Sequence, residues 1–459
     1  MVSCILFFLI TVLYFHPVLS SKLIFIERDL SVFFIPPKYL WVGLVKSFVL
    51  PLWNPYNYSG IPLLATLQPG ICYPPHILYL FMPFNVVWNW LIIMHFVFSG
   101  ISLYLFLRYL KASAEASFVG GVTFMLSGYL LSVHNLLPHL FSVSWFPLII
   151  MFFLKYFHTK RIKYIILSSI FLTMQFLAGA PEIVIMTVVI LIFLTCFTGI
   201  FINREVDYIF KLKAILFLLL FFVLFSAIQL FPFYELKSQS IRSSGLNYKE
   251  ATIWSFQWVD IIQFFLPDIF GAFKSDTKYW SHQTWLKTIY LGIMPFFLSV
   301  FYFITKDRKR WIFLVLMLVS FLFALGGNTP VYKVLYNIPP FNGIRYPVKF
   351  LFLFFFVISV TAGLGLDRLI KGIEEKNPHT ERAIYAAFYS GFLFAIAWGY
   401  VVIFKDDLYS FFERIGIKPD VYNEIDYNIH NIRRFLFFSF LFCVMLLVTL
   451  RIKYKRIAI

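Results

Sequence analysis

The chain has 459 residues, 61% of them hydrophobic and only 13% charged, with a mean hydropathy of +0.82. Soluble domains carry roughly 25% charged residues, so this composition excludes an ordinary water-soluble fold and calls for lipid as solvent. A net charge of +17 would suit a nucleic-acid binder, but basic cytoplasmic loops give the same sum, and the placement of the charges favours topology.

Apolar blocks of about 17–25 residues, each long enough to cross roughly 30 Å of hydrocarbon as a helix, recur along the sequence. In order they are Val2–Ser20, Val86–Leu107, Ala116–Val133, Leu137–Phe153, Tyr164–Ala178, Ile183–Ile202 and Ala214–Phe233. Ile289–Ile304, Trp311–Leu325, Val348–Gly365, Ala383–Ile403 and Phe435–Leu450 complete the series. The expected fold is therefore an all-α polytopic membrane protein of about twelve transmembrane helices. The first block lacks a basic leader and runs to the small pair Ser20-Ser21, so it reads as an uncleaved span rather than a signal peptide.

With both termini in the cytoplasm, the inside loops are Arg108–Glu115, Lys155–Lys163, Asn203–Lys213, Lys306–Arg310, Asp367–Arg382 and the tail from Arg451. These hold 21 of the 39 Lys and Arg residues, at roughly three times the density of the outside segments, as the positive-inside rule requires. The basic tail reads as a topology anchor on anionic lipid. A multi-pass protein of the cell (inner) membrane follows, with long outside segments at Ser21–Asn85, Leu236–Lys287, Gly326–Pro347 and Lys405–Arg434. Trp254, Trp258, Trp280 and Trp285 mark the second as interfacial.

No Asp, Glu, Lys or Arg lies in the middle of any span, which counts against an ion-coupled transporter. Catalytic acids then belong to the loops. Phe25-Ile26-Glu27-Arg28-Asp29 follows the first span, and carboxylates at Glu27 and Asp29 can share a divalent metal ion or provide a base. The structural alternative is that Asp29 caps a helix starting near Ser31 while Glu27 is solvated. Beyond it, Pro51, Pro55, Pro62, Pro69 and Pro74 with Gly60 and Gly70 fix an irregular backbone near the membrane, as at the rim of a wet cavity. Cys4, Cys72, Cys196 and Cys443 lie far apart, so neither a disulfide framework nor a zinc site is expected.

An acid shortly after the first span, then the run Pro51–Ala65, Gln68-Pro69-Gly70 and Tyr73-Pro74-Pro75, resembles the YfhO-like membrane proteins of the GT-C glycosyltransferase superfamily. The likeness continues at Asn135, His139, Trp145-Phe146-Pro147, Leu177–Pro181 and Glu235 with Ser240-Ile241-Arg242. It resumes at Leu266-Pro267, Phe270-Gly271, Tyr290-Leu291-Gly292, Leu325–Pro330 and Phe341–Pro347. Glu182 and Lys349 depart from it, standing where an amide and an Arg are usual. The resemblance implies a GT-C-like catalytic region over 1–371 with a large first extracytoplasmic loop, and 372–459 as C-terminal helices with an outside loop.

The resemblance also implies transfer of a sugar from a polyprenyl-phosphate donor to a surface glycan, lipid or polymer. Asp29 would be the base, assisted by Glu27, and Arg242, Arg345 and Lys349 would bind the donor phosphate. Asn54, Tyr56, Gln68, His134, Asn135, His139 and Glu235 would line the acceptor pocket. Headgroup contact is the alternative for the basic residues, and backbone hydrogen bonding for the histidines. The resemblance fixes no cofactor, a divalent cation on Glu27 and Asp29 being the one the carboxylates can accommodate. A lipid or glycolipid flippase and a noncatalytic assembly factor are the competing functions. A flippase predicts polar residues continuing through the bundle, and a scaffold predicts that Asp29 is bonded into a helix cap.

Overall fold

The computed structural model describes residues 2–19, 23–266, 285–375, 378–404, 406–407, 410 and 422–458. Ser20, Ser21, Pro267, Phe270, Gly271, Trp280 and most of the segment 405–421 lie outside the described residues. Among the described residues the apolar blocks are largely helical, several of them broken into shorter pieces. The helices are α1 (Val2–Tyr14), α2 (Ile35–Lys46), α3 (Leu78–Phe81), α4 (Phe84–Tyr109), α5 (Ala114–Met125), α6 (Gly128–Ser132), α7 (Leu137–Thr159), α8 (Ile162–Leu177) and α9 (Pro181–Cys196). Then come α10 (Thr198–Ile202), α11 (Tyr208–Ser238), α12 (Tyr248–Ala251), α13 (Ile293–Ile304), α14 (Lys309–Ala324), α15 (Val331–Tyr336), α16 (Leu351–Glu374), α17 (Pro378–Ile403) and α18 (Tyr422–Ala458).

Among the described residues, five stretches are long and apolar enough to cross a membrane: Phe84–Tyr109, Ala114–Asn135, Leu137–Thr159, Tyr208–Ser238 and Pro347–Glu374. Val2–Tyr14, Ile162–Leu177, Pro181–Cys196, Ile293–Ile304 and Tyr389–Ile403 are shorter apolar helices. The chain is a helical membrane protein.

The helices fall into two compact units. The first comprises Met1–Leu126, Val133–Ala251 and Lys333–Arg345. Here α4 packs on α1, α5 and α7, α7 packs on α8 and α9, and α8 packs on α11. Lipid offers no hydrophobic drive for helices to associate, so shape and hydrogen bonds supply it. Phe7 of α1, fully buried, sits at Gly100 of α4 and Gly121 of α5, where an added Cβ at Gly121 would stand 2.5 Å from its ring. Ser142 and Gln175 exchange side-chain bonds to each other's carbonyls at 2.8 and 3.1 Å, joining α7 to α8. Ser169 donates to Leu218 O at 3.1 Å and joins α8 to α11. Little of α11 is buried, with Leu216, Leu220, Leu224 and Ile228 outward; such a surface suits lipid.

The second unit comprises Ser127–Ser132, Thr252–Tyr332 and Tyr346–Ile459. Its centre is α16, almost wholly buried, against which α13 and α14 pack. Gly365 lies directly on the backbone of Leu298, and the Ser299 and Thr361 hydroxyls bond at 2.6 Å, so small residues again bring two helices close. Between α13 and α14, Asp307 accepts from Lys309 N–H at 3.0 Å and from Arg368 at 3.0 Å. Burial pushes the Asp307 carboxyl up, but the Lys309 amide and charge and the Arg368 guanidinium outweigh it and hold the group below the usual carboxylate value. Its contribution is then present at neutral pH and lost only as pH falls through that lowered value. Asp307→Ala should lower stability by about 1–2 kcal/mol, through the lost bonds from the Lys309 amide and Arg368, in thermal unfolding of detergent-solubilised protein at neutral pH. The deficit should shrink below the ordinary carboxylate pKa of 3.8.

Candidate functional site

The first unit carries the candidate acids, and the approach to them is tied to the start of α4. Asn89 donates to Val18 O at 3.0 Å and to Leu23 O at 2.6 Å, and accepts from Phe25 N–H at 3.2 Å. Trp88, one residue earlier, donates its indole N–H to Phe25 O at 2.8 Å. Two residues later the chain turns sharply. Arg28 has φ +51°, a left-handed conformation uncommon for a side chain of its size and frequent where a site over-determines the backbone.

That turn leaves Glu27 and Asp29 exposed on either side of Arg28. Glu27 lies 3.8 Å from His134 Nε2. Asp29 occupies the cap position of the helical turn Leu30–Phe34, a π-turn that runs straight into α2, yet its side chain makes no capping bond. Leu30 N–H is satisfied instead by Glu27 O at 3.2 Å, and Ser31 Oγ by Arg28 O at 3.2 Å. The expected capping role is therefore not the one Asp29 plays.

The other expected residues divide by environment. Asn54 is buried, its Oδ1 accepting Tyr56 N–H at 3.0 Å, which shapes the turn of the two-stranded hairpin β1 (Trp53–Asn54) and β2 (Ile61–Pro62). Tyr56 is 80% exposed and borders an apolar groove along α2, and Gln68 is exposed. Asn135 is buried with neither end of its amide hydrogen-bonded to the protein. His139 bonds Glu182 at 3.0 Å, so the acid standing where an amide is usual has a partner of its own. Glu235 is exposed near the end of α11.

Arg242 is exposed on a turn that Gly245 closes by donating to Arg242 O at 3.2 Å. This turn is bound to the segment that carries Arg345. Leu246 N–H donates to Asn342 O at 3.0 Å, Tyr336 Oη donates to Leu246 O at 2.6 Å, and Gly245, at φ +86°, lies where a Cβ would strike the Asn342 amide. Both arginines belong to the unit that holds Glu27 and Asp29. Lys349 belongs to the second unit, where it is buried with its ammonium 5.5 Å from the Trp285 ring and 5.4 Å from the Tyr346 ring. Among the described residues no three His, Cys, Asp or Glu side chains gather as metal ligands, so the two carboxylates do not by themselves make a metal centre.

A buried polar cluster beneath this loop escaped the sequence reading. Lys38 of α2, 1% exposed, donates to Pro69 O at 2.7 Å and lies 3.3 Å from His76 Nε2. His76 Nδ1 donates to Gly70 O at 2.7 Å. Burial pushes the Lys38 amine well below the ordinary lysine value, and burial followed by the Lys38 charge does the same to His76. Beside them Trp145 donates to Tyr73 Oη at 2.9 Å, Tyr73 to His95 Nε2 at 2.7 Å, and His95 Nδ1 to Leu91 O at 2.6 Å. Lys38, Trp41 and Val42 share the buried face of α2, a spacing that would have flagged a lysine on an apolar stripe.

The fold and the exposed acid pair define a multi-helical membrane protein with a polar site on its first long loop. The chain matches the family described as bacterial membrane protein YfhO over residues 47–459, and it belongs to that family. No match is found among curated proteins. The matched range begins after Asp29.

Unfolded, Lys38 holds its proton up to about 10.5, whereas in the fold it releases it at lower pH. The unfolded state thus binds more protons between those values, and this residue makes stability rise with pH across that window. Thermal unfolding of Lys38→Met at pH 7 to 10 should show a flatter rise than the wild type; parallel curves would contradict the lowered value of the buried amine.

Proposed function

We propose that the protein is an extracytoplasmic glycosyltransferase of the GT-C kind, moving a sugar from a polyprenyl-phosphate carrier to a surface acceptor with inversion. The observation that carries this reading is the uncommitted Asp29 carboxylate: it is exposed, makes no capping bond, and stands on a loop tied by Asn89 and Trp88 to the end of a long apolar helix. Membership of the YfhO family and a chain rich in long apolar helices are in keeping with the same class. Nucleotide sugars are cytoplasmic, so chemistry on the far face needs a lipid-borne donor, and such a donor needs both apolar surface and a cationic seat for its phosphate.

In this mechanism the acceptor hydroxyl attacks the anomeric carbon from the face opposite the phosphate. Its proton passes to Asp29, and the glycosidic bond to the carrier breaks with its electron pair leaving on the phosphate oxygen. General-base catalysis of this type contributes about 10²–10⁴-fold in rate. Arg242 and Arg345, on segments bonded to one another, neutralise the departing phosphate, for which a planar guanidinium is well shaped. Glu27, paired with His134, keeps a second negative charge beside the base and helps orient the acceptor. Asn135 and the His139–Glu182 pair line the acceptor side.

Asp29→Asn should abolish transfer to the surface acceptor while the protein still accumulates in the membrane. Arg242→Ala should weaken use of the donor, read as a raised KM for the lipid-linked sugar. Comparison of surface glycans from wild-type, gene-deleted and Asp29→Asn cells checks the first, and full glycosylation in the Asp29→Asn strain contradicts the base assignment.

A further inference from the structure

Helix α2, into which the turn after Asp29 runs, buries one face and leaves another empty. Lys38, Trp41 and Val42 point into the protein, held by the Lys38 bond to Pro69 and by Trp41 edge-on to Tyr79 at 6.3 Å. On another side Pro36, Tyr39, Leu40, Gly43, Leu44 and Ser47 recur at helical spacing and line an open, almost wholly apolar groove of about 410 Å³. Tyr56 of the hairpin forms its other wall. A Cβ built on Gly43 meets nothing within 4 Å, so the middle of the groove is open space.

Three observations say what fills it. The groove is continuous with the end of a helix long enough to span the membrane, because Tyr39 packs on Phe84, the first residue of α4, at 4.5 Å between ring centroids. Around that junction Ile77, Phe81 and Met82 expose apolar side chains of the kind that sit at the boundary between headgroups and hydrocarbon. Second, the stripe from Pro36 to Ser47 runs for about 16 Å at helical rise and its lining carries no charged side chain, so it can lie along an acyl chain without burying a charge. Third, Lys46 is exposed beside Ser47, so a basic group stands at one end of an apolar trough, complementary to an anionic headgroup above a hydrocarbon tail.

We infer that this groove is a lipid-binding site, taking one acyl chain of an anionic diacyl glycerolipid from the leaflet at that end of α4, with the headgroup beside Lys46. The bound lipid fixes the depth of α2 in the interface, and so the height of the acid pair at its start. This site is independent of the transfer reaction and stands or falls on its own.

The test uses the full-length protein in phosphatidylcholine vesicles containing phosphatidylglycerol with a diazirine in one acyl chain. After illumination, adducts should concentrate on Tyr39, Leu40, Leu44 and Tyr56 above those on the exposed face of α11. Gly43→Trp, which fills open space and favours the helix, should reduce the groove adducts to the α11 level while leaving α11 unchanged. Gly43→Leu, a smaller filler, should act in the same direction. Lys46→Gln should cut groove labelling about five-fold with phosphatidylglycerol and leave it unchanged with phosphatidylcholine carrying the same diazirine, the worth of roughly one interfacial charge. Groove adducts no denser than those on α11, or unmoved by either Gly43 variant, overturn the site. Displacement of the adducts by a minor fraction of unlabelled polyprenyl phosphate overturns the assigned occupant.

Discussion

One side-chain amide organises the first loop. Asn89 lies in the second turn of α4 and reaches three main-chain groups, on Val18, Leu23 and Phe25, that no regular element satisfies. A backbone leaving a helix near hydrocarbon must find partners or carry a heavy desolvation cost. With Trp88 holding Phe25 O, the chain reaches Glu27 already fixed against the longest-range anchor available to it, an apolar helix of 26 residues. The strained Arg28, the freely presented Asp29 and the direction of α2 all follow from where that clasp releases the chain.

The same logic of satisfied polar groups separates the roles of the polar residues. Lys38, His76, Tyr73 and His95 are buried and engaged in ordered hydrogen bonds, and they bind the proline-rich loop down onto α2 and α4. Glu27, Asp29 and Arg242 stay exposed. In a chain whose spans carry no mid-helix acid or base, charge left at the surface of a well-anchored loop is the material from which chemistry can be built. The hydroxyl and glycine contacts between helices, such as Ser299 with Thr361 and Phe7 at Gly121, hold the scaffold and contribute no charge.

Much of this was legible before any coordinates. The apolar blocks are largely helical because their composition leaves few other states acceptable to lipid. What the sequence hid is long-range. The apolar block Ala116–Val133 breaks after Met125 because Gly128 N–H bonds Tyr290 O and Ser132 accepts from Lys287 and Thr288, partners more than 150 residues away. Asn54 shapes its own turn through a bond two residues on, whereas the pairing of His139 with Glu182 needs α7 and α9 to meet. Asp29 had the local pattern of a helix cap, and only the geometry separates the cap position from a capping bond. Lys349, four residues after Arg345, stands in a ring of aromatics in the other unit, a division invisible in so short a spacing.

The account rests on the Glu-Arg-Asp turn standing beyond the lipid on the face away from the cytoplasm. The most direct measurement is labelling of Glu27→Cys, in a background with Cys72 replaced by Ser, using a membrane-impermeant maleimide on intact cells. Exposure of the turn as described predicts rapid labelling without permeabilisation. Labelling that appears only after the membrane is opened would put the acids in the cytosol and contradict the proposed reaction at its root.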